Sequence, residues 1–332
     1  MLSFDGFLRQ FDLSQVSFPT IGLPMEFPNS KKFAFTILDD TDDSTLENVK
    51  PVYDALNAHG FRTTKTVWPV DCPEGSRIFF AADTLQRKPY LEFVHRLAVE
   101  GFEIAFHGAT MESSRRDRTV QALEFFKGEF GAYPTLFCNH GHNRDNLYWG
   151  YKRFQTSWLR STVGLLREEA PSYYLGDVED SEYFWGDLCR RHIRYVRNWT
   201  FPCLNMLEVN PEMPYRLPGT PYVNLWFSTA DAPDVGDFVR LLTRENIDRL
   251  EQEGGLCIVS THLGKGFVKD GVLEPRVQRI FHALSEKSGW YVPVSEMLDY
   301  LVQTQDKGQT LGPLKTAILE TRFLVNKLWP TL

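Results

Sequence analysis

Short apolar runs alternate with amphipathic stretches of helical period along most of this chain, and this alternation restricts its fold more than any other feature. Strands that alternate with helices form βαβ units, whose strands lie parallel. The pattern therefore predicts an α/β fold with a parallel sheet or a closed barrel. Strands are expected at residues 33–39, 63–70, 102–108, 134–141, 256–262 and 290–294. Helices are expected after residue 44 and at residues 89–101, 119–131, 234–255, 274–289 and 295–304.

Residues 146–230 interrupt this alternation. They are rich in aromatic residues and proline, with only short strand-like runs between. We interpret the segment as an insertion that covers the mouth of the barrel. Its tryptophans are most simply core residues of a covering layer, because tryptophan buries a large apolar area.

The predicted domain spans residues 33–302, and one further segment flanks it at each end. Residues 1–32 form an N-terminal extension, and residues 303–332 contain an amphipathic helix pattern from Leu314 to Leu328. Packing of this helix onto the domain is the preferred interpretation. Peripheral contact with a membrane surface is the alternative, although three basic residues are a weak signal for lipid binding.

The composition excludes several classes of protein. A formal net charge of −7 argues against a nucleic-acid partner, because such proteins usually carry a basic face. Five cysteines without CxxC spacing favour neither a disulfide framework nor a cysteine zinc site. The first residues lack the apolar run of a signal peptide, and no stretch approaches the roughly 20 apolar residues of a spanning helix. A cytoplasmic location is therefore expected.

Polar residues collect where predicted strands end. The clusters are Asp39-Asp40, His107, the segment CNHGHNRDN at 138–146, and Thr261-His262. The carboxyl ends of barrel strands form the rim where active sites are built, and carboxylates with imidazoles suit zinc or a similar divalent metal. Each histidine taken alone is as readily explained as a hydrogen-bonded loop residue.

Two further carboxylates, Asp42 and Asp43, have two interpretations. Ser44 with Glu47 indicates the start of a helix, and helix amino termini favour negative charge. The preferred interpretation is that both carboxylates stabilise the amino terminus of this helix. Direct binding of a metal is the alternative.

The order of these segments resembles the polysaccharide deacetylase family, the NodB-like carbohydrate esterases. TILDDTD stands where the family has T-F-D-D-G, GFEIAFHGATM resembles its second motif, GAYPTLFCNHG its third, and LCIVSTH its last. The resemblance covers roughly residues 33–145 and 236–302. It implies a distorted (β/α) barrel of seven or eight strands and a divalent metal cofactor, with zinc the first choice.

The resemblance also implies roles for individual residues. Asp39 would be the general base, Asp40 and His107 metal ligands, and His262 the general acid. Met111 stands where a second ligand histidine is expected, and Cys138 where an arginine that orients the base is expected.

Residues further along the third motif can replace what these departures remove. His140 or His142 could supply the missing imidazole, and Arg144 the missing arginine. In the aromatic segment, Trp185 and Asp187 are the candidates for contact with substrate.

The function implied by the resemblance is the metal-dependent hydrolysis of an N-acetyl group on an amino sugar or glycan precursor, in the synthesis of cell-surface polysaccharide. The expected partner is thus a carbohydrate substrate. Two alternatives stay open: a catalytically inactive barrel that binds glycans, and a hydrolase of another amide or ester.

Overall fold

The computed structural model describes residues 25–72, 82–166 and 173–328 of the chain. Over these ranges the chain forms ten β-strands. Their bounds are Phe33–Asp39 (β1), Thr64–Val67 (β2), Glu103–Phe106 (β3), Leu136–Phe137 (β4), Tyr195–Phe201 (β5), Leu225–Asp231 (β6), Leu256–Thr261 (β7), Val268–Lys269 (β8), Val272–Leu273 (β9) and Gly289–Trp290 (β10).

Eleven α-helices lie in the same ranges, mostly between successive strands. Their bounds are Leu46–Ala58 (α1), Lys88–Val99 (α2), Arg116–Phe130 (α3), Ser157–Leu166 (α4), Gly186–His192 (α5), Met206–Val209 (α6), Val235–Leu241 (α7), Arg244–Glu253 (α8), Pro275–Ser285 (α9), Val294–Thr304 (α10) and Pro313–Leu328 (α11).

The strands from β1 to β7 close into a parallel barrel. Each pairs with the next along the chain, and β7 returns to pair with β1 over six residues. β10 lies beside the start of β1, through Phe33 and Ala34, while β8 and β9 form a separate antiparallel pair. The predicted (β/α) barrel of seven or eight strands is confirmed: among the described residues, seven strands close the barrel and an eighth flanks it.

β1 shows why the strands of this barrel can be recognised in the sequence. All seven of its residues are buried. A parallel strand is covered on one face by helices and on the other by the barrel interior, so it becomes a nearly continuous apolar run. The side chains that follow such strands meet at one rim, where the polar clusters lie.

Two strands of the barrel fall inside the segment 146–230, which corrects our interpretation of the whole segment as an insertion. β5 pairs with β4 and β6, and β6 pairs with β7. Their sequences, YVRNWTF and LWFSTAD, mix polar residues with aromatic ones because several polar side chains face the buried rim. They therefore lack the apolar run by which the other strands were recognised.

The predicted helix at 234–255 is two helices, α7 and α8. The break falls at Thr243, whose side chain accepts a hydrogen bond from the Asn246 backbone and so begins α8. An amino-terminal cap of this kind satisfies a donor that a helix end otherwise leaves unpaired.

The C-terminal helix α11 packs on the barrel. Leu319 and Phe323 are buried, and the Phe323 ring centroid lies 4.4 Å from that of Trp199 on β5. Within the three described ranges, no helix has both the length and the apolar character needed to cross a membrane. Of the predicted N-terminal extension, residues 1–24 lie outside the described residues, and Phe27 is buried against the domain.

Candidate metal centre

An open cavity of about 310 Å³ lies at the carboxyl rim of the barrel. It is lined by residues from the ends of β1, β3, β4, β5, β6 and β7, as expected where parallel strands converge. Asp40, Asp42, His107, His140 and His262 are all in this lining.

The Asp42 carboxylate faces three imidazoles at the base of the cavity. Its Oδ1 lies 3.3 Å from His107 Nε2 and 3.4 Å from His140 Nε2. Its Oδ2 lies 3.3 Å from His262 Nε2. A tetrahedral metal holds nitrogen and oxygen ligands at about 2.0–2.2 Å, which separates the ligand atoms from one another by about 3.3–3.6 Å. The separations of Asp42 Oδ1 from His107 and His140 therefore match ligand atoms around a shared ion.

The burial of this cluster also fits a metal. Asp42 Oδ1 is buried and has no hydrogen-bond partner in the described part of the chain. Burial would raise the pKa of the Asp42 carboxyl, but the three imidazoles outweigh burial and hold that pKa far below its usual range. Burial lowers the pKa of His107, which favours the neutral imidazole that metals bind. Asp42, His107 and His140 thus make a donor set suited to a divalent ion.

The two buried imidazoles are held by aromatic packing. The Trp68 indole is fully buried, with its centroid 5.8 Å from the His107 ring and 5.3 Å from the His140 ring. Trp68 follows directly after β2, so it adds a fourth strand end to the three that carry Asp42, His107 and His140. Close packing against a buried indole restricts the rotation of both imidazoles.

Asp40 lies beside this set and pairs with an arginine instead. Its Oδ2 accepts a hydrogen bond from Arg197 Nη1 at 2.5 Å, and the same guanidinium also donates to the Ser260 hydroxyl. Asp40 Oδ1 is buried, lacks a hydrogen-bond partner among the described residues, and lies 3.8 Å from His107 Nδ1. Burial would raise the pKa of Asp40, but Arg197 and then His107 and His262 lower it. Asp40 is therefore a carboxylate held ionised beside the donor set.

His262 is the most accessible of the three histidines, with 16% of its side chain exposed. Its Nδ1 lies 2.6 Å from the Pro233 carbonyl oxygen, so Nδ1 carries the proton and donates it. Burial would lower the pKa of His262, but Asp42 and Asp40 outweigh burial and raise it. A raised pKa suits a proton donor.

Cys138 forms a second cluster with Asp40 and His107, but it is a weaker candidate for a metal. Burial raises the pKa of the Cys138 thiol, and the thiolate is the form that binds metal. The Arg197 guanidinium in contact with Asp40 also opposes a second cation there.

Asp39, the base implied by the sequence motif, does not line the cavity. It is fully buried, and its Oδ2 accepts from Lys65 Nζ at 2.8 Å and from the Tyr53 hydroxyl at 2.9 Å. Its Oδ1 accepts from the Leu263 backbone N–H at 2.9 Å. Neighbouring residues at a strand end point in opposite directions, which separates Asp39 from Asp40. We correct the assignment: Asp39 joins β1 to β2, α1 and the loop after β7.

Replacing Asp39 with asparagine should destabilise the fold, because Lys65 would be left buried without a counter-charge. Breaking a buried pair from one side costs about 3–5 kcal/mol. Chemical denaturation would measure the change in the free energy of unfolding. The double variant Asp39→Asn/Lys65→Met should recover much of the loss, and equal stability of Asp39→Asn and the parent protein would contradict this role.

The structure separates the two histidines of the third motif. His140 is buried and belongs to the donor set, whereas His142 is exposed and outside the cavity lining. Arg144 does not replace the arginine missing at Cys138, because its guanidinium lies over the Tyr183 ring at 4.6 Å. Arg197 on β5 is the arginine that contacts a site carboxylate.

The proposed substrate contacts Trp185 and Asp187 also lie elsewhere. Trp185 is buried against the rings of Phe106 and Phe137, with centroids 6.0 and 4.8 Å away, and its indole N–H donates to the Asp145 carbonyl. Asp187 makes a two-bond ion pair with Arg116. The tryptophan of the aromatic segment that lines the cavity is Trp149.

Sequence reasoning preferred the wrong role for Asp42 and missed Arg197. The cap of α1 is Thr45, which exchanges hydrogen bonds with Asn48, so the helix does not need Asp42. Arg197 lies in a segment that we interpreted as an insertion. The usable signal was the arginine itself, a charged residue within a strand-like run.

Comparisons with known proteins identify structures of similar architecture. No family model matches the chain, and a search of curated proteins finds no match. A Mycobacterium smegmatis protein assigned to the polysaccharide deacetylases is 14% identical; the match covers 88% of this chain and 97% of that one, with a TM-score of 0.49. The allantoinase PuuE is 14% identical over 87% of this chain and 95% of its own, with a TM-score of 0.48.

A mutant of a CE4-family pseudoenzyme is 11% identical, over 87% of this chain and 74% of its own, with a TM-score of 0.37. A similarity of fold does not by itself establish function. Polysaccharide deacetylases, which the sequence motifs resemble, are thus also among the solved structures to which this barrel is similar.

Proposed function

We propose that this chain is a metal-dependent hydrolase that removes N-acetyl groups from an amino sugar or glycan precursor. Asp42, His107 and His140 would hold a divalent ion, with zinc the first choice for this donor set. The observation that carries the proposal is the spacing of 3.3–3.4 Å between Asp42 Oδ1 and the imidazoles of His107 and His140, at the base of an open cavity.

A divalent ion bound there would supply Lewis acidity, polarising a carbonyl oxygen and lowering the pKa of water. Asp40 would accept the proton from the attacking water at Oδ1, which has no hydrogen-bond partner among the described residues, while Arg197 orients the carboxylate through Oδ2. His262 would donate a proton from Nε2 to the leaving amine, since its Nδ1 is committed to the Pro233 carbonyl. This pairing of an ionised carboxylate with a protonated imidazole suits amide hydrolysis near neutral pH.

The two motif departures that favoured a catalytically inactive barrel have replacements among these residues. His140 stands in the donor set where Met111 offers only a thioether, and Arg197 contacts Asp40 where Cys138 offers no charge. Both replacements reach the site from other strands. They support an active centre over the inactive alternative.

The substrate class rests on the resemblance of the motifs to sugar deacetylases and on the shape of the site. The cavity is wide enough for a sugar unit and has an aromatic wall at Trp149. A role in the synthesis of cell-surface polysaccharide follows from the same resemblance. Another amide or ester that fits this cavity is the competing substrate.

Zinc-loaded protein should release acetate from at least one member of a panel of nucleotide-linked and lipid-linked N-acetylhexosamines. Acetate would be measured enzymatically, and bound metal by elemental analysis. Metal-free protein and Asp42→Asn serve as matched controls and should release none. Release from simple acetamides or acetate esters alone would indicate the other hydrolase class, and glycan binding without release from any substrate would favour the inactive alternative.

A further inference from the structure

One face of the C-terminal helix α11 contacts the wall of the cavity. Glu320, Phe323 and Lys327 are spaced by three and four residues, so they share a face of the helix. Leu314, near the start of the same helix, is 75% exposed. The helix therefore has a contacting face and a solvent face, which can be tested separately.

Phe323 begins a series of packed side chains, Trp199, Arg153 and Trp149, that ends at the cavity. It packs on Trp199, and the Arg153 guanidinium lies 4.5 Å from the Trp199 ring and 5.2 Å from the Phe323 ring. The same guanidinium lies 4.2 Å from the ring of Trp149, which lines the cavity. Cation–π contacts of this kind hold a ring in place. The position of Trp149 thus depends on α11 through two intervening side chains.

Glu320 holds the chain segment that follows Trp149. Its carboxylate is almost fully buried and accepts hydrogen bonds from the backbone N–H groups of Gln155 and Thr156, at 2.5 and 3.1 Å. These residues follow the short helix Gly150–Arg153, which carries the stacked arginine. A buried carboxylate that accepts two backbone bonds is a strong local constraint.

Lys327, on the same face of α11, contacts a second residue of the cavity lining. Its Nζ lies 3.0 Å from Asp231 Oδ2, at the end of β6. Asp231 lines the cavity, and the Thr200 hydroxyl donates to the same oxygen at 3.3 Å. One face of α11 thus contacts the residues that pack on Trp149 and also contacts the Asp231 carboxylate directly.

We propose that Trp149 and Asp231 form a subsite for a sugar ring beside the metal centre, and that α11 positions both residues. A flat aromatic surface packs against the apolar face of a pyranose, and a carboxylate accepts hydrogen bonds from its hydroxyl groups. This inference rests on the proposed function for the class of ligand. It adds that the contacting face of α11 sets substrate affinity, while Asp42, His107 and His140 set metal affinity.

The test uses zinc-loaded protein and the trisaccharide of N-acetylglucosamine as the probe, with affinity measured by calorimetry. Trp149→Ala, Phe323→Leu and Glu320→Gln should each weaken binding about threefold to tenfold, the range expected when an aromatic contact is lost or displaced. Zinc affinity should change by less than about twofold, because the donor set lies on other strands. Leu314→Ala, on the solvent face, is the matched control and should bind as the parent protein does.

A steady-state measurement separates positioning from a general loss of structure. With a sugar that releases acetate, Phe323→Leu and Glu320→Gln should raise KM with kcat nearly unchanged, because the removed interaction is equal in the ground and transition states. Thermal unfolding would confirm that both variants are folded at the assay temperature. Lys327→Met, a surface change with little effect on folding, provides an independent variant and should raise KM in the same direction.

The outcomes distinguish this inference from the proposed function. Trisaccharide binding that weakens in the variants, with no acetate released from the trisaccharide or from any member of the panel, supports the subsite and refutes the deacetylase. Acetate release with KM unchanged in the folded variants refutes the subsite and leaves the deacetylase standing. A parent protein that neither binds nor hydrolyses amino sugars refutes both.

Discussion

Asp42→Asn should abolish tight metal binding and with it all metal-dependent activity. The amide removes the negative charge that faces all three imidazoles, and a neutral oxygen is a weaker ligand. We expect zinc affinity to fall by more than about a hundredfold, since altering an outer partner of a metal ligand already costs about 10- to 100-fold. Competition with a chromophoric chelator would measure the affinity.

The neighbouring carboxylate provides a matched control. Asp43 is one residue away, pairs with Lys265 at 3.7 Å, and adopts a positive φ of 58° that asparagine tolerates well. Asp43→Asn should therefore keep zinc affinity and stability. If Asp42→Asn binds zinc as the parent does while Asp40→Asn does not, the ligand is Asp40, as the sequence motif implied.

Asp40→Asn should keep the metal and lose most of the activity. A general base contributes about a hundred- to ten-thousand-fold to the rate, and asparagine cannot accept a proton at the Asp40 position. Arg197→Met should also lose activity while keeping zinc, because Asp40 would then lack the partner that orients its carboxylate. Acetate release at saturating substrate, with zinc content measured on the same samples, tests both variants.

Stability must be checked for these two variants, because both disturb a buried ion pair. Each single change leaves one buried charge without its partner, so thermal unfolding should be recorded beside activity. The double variant Asp40→Asn/Arg197→Met removes both charges, and should be more stable than either single variant yet equally inactive. Zinc-loaded Asp40→Asn that retains near-parental activity would show that another group accepts the proton.

The acidic residues after β1 show what a local sequence pattern can and cannot predict. The motif indicated that carboxylates at the end of this strand lie at the rim where parallel strands converge, and Asp40 and Asp42 line the cavity there. It did not decide which carboxylate faces which neighbour. Asp39 turns toward Lys65, Asp40 toward Arg197 and Asp42 toward the imidazoles, so three nearly adjacent residues of one type have three different environments.

Arg197 shows that a contact between residues far apart in sequence cannot be predicted from local pattern. It lies 157 residues from Asp40 in sequence, on a strand that lacks the apolar run of its neighbours. Its partner became evident only when the barrel closed, because β5 reaches the rim through its pairing with β4 and β6. The choice of His140 over His142 was decided in the same way, by the turn at Gly141 that leaves one ring buried and the other exposed.

The resemblance of the motifs implied the barrel of seven or eight strands. The sequence by itself determined the parallel α/β class and the rim at which polar residues gather. These features depend on local periodicity, which each segment carries independently of the others. The tertiary structure alone decided the pairing of Asp40 with Arg197, the burial of Asp39 against Lys65, and the meeting of Asp42 with its histidines. Such contacts join residues far apart in the chain, and their geometry is set by how strands close and turns bend rather than by any pattern within one segment.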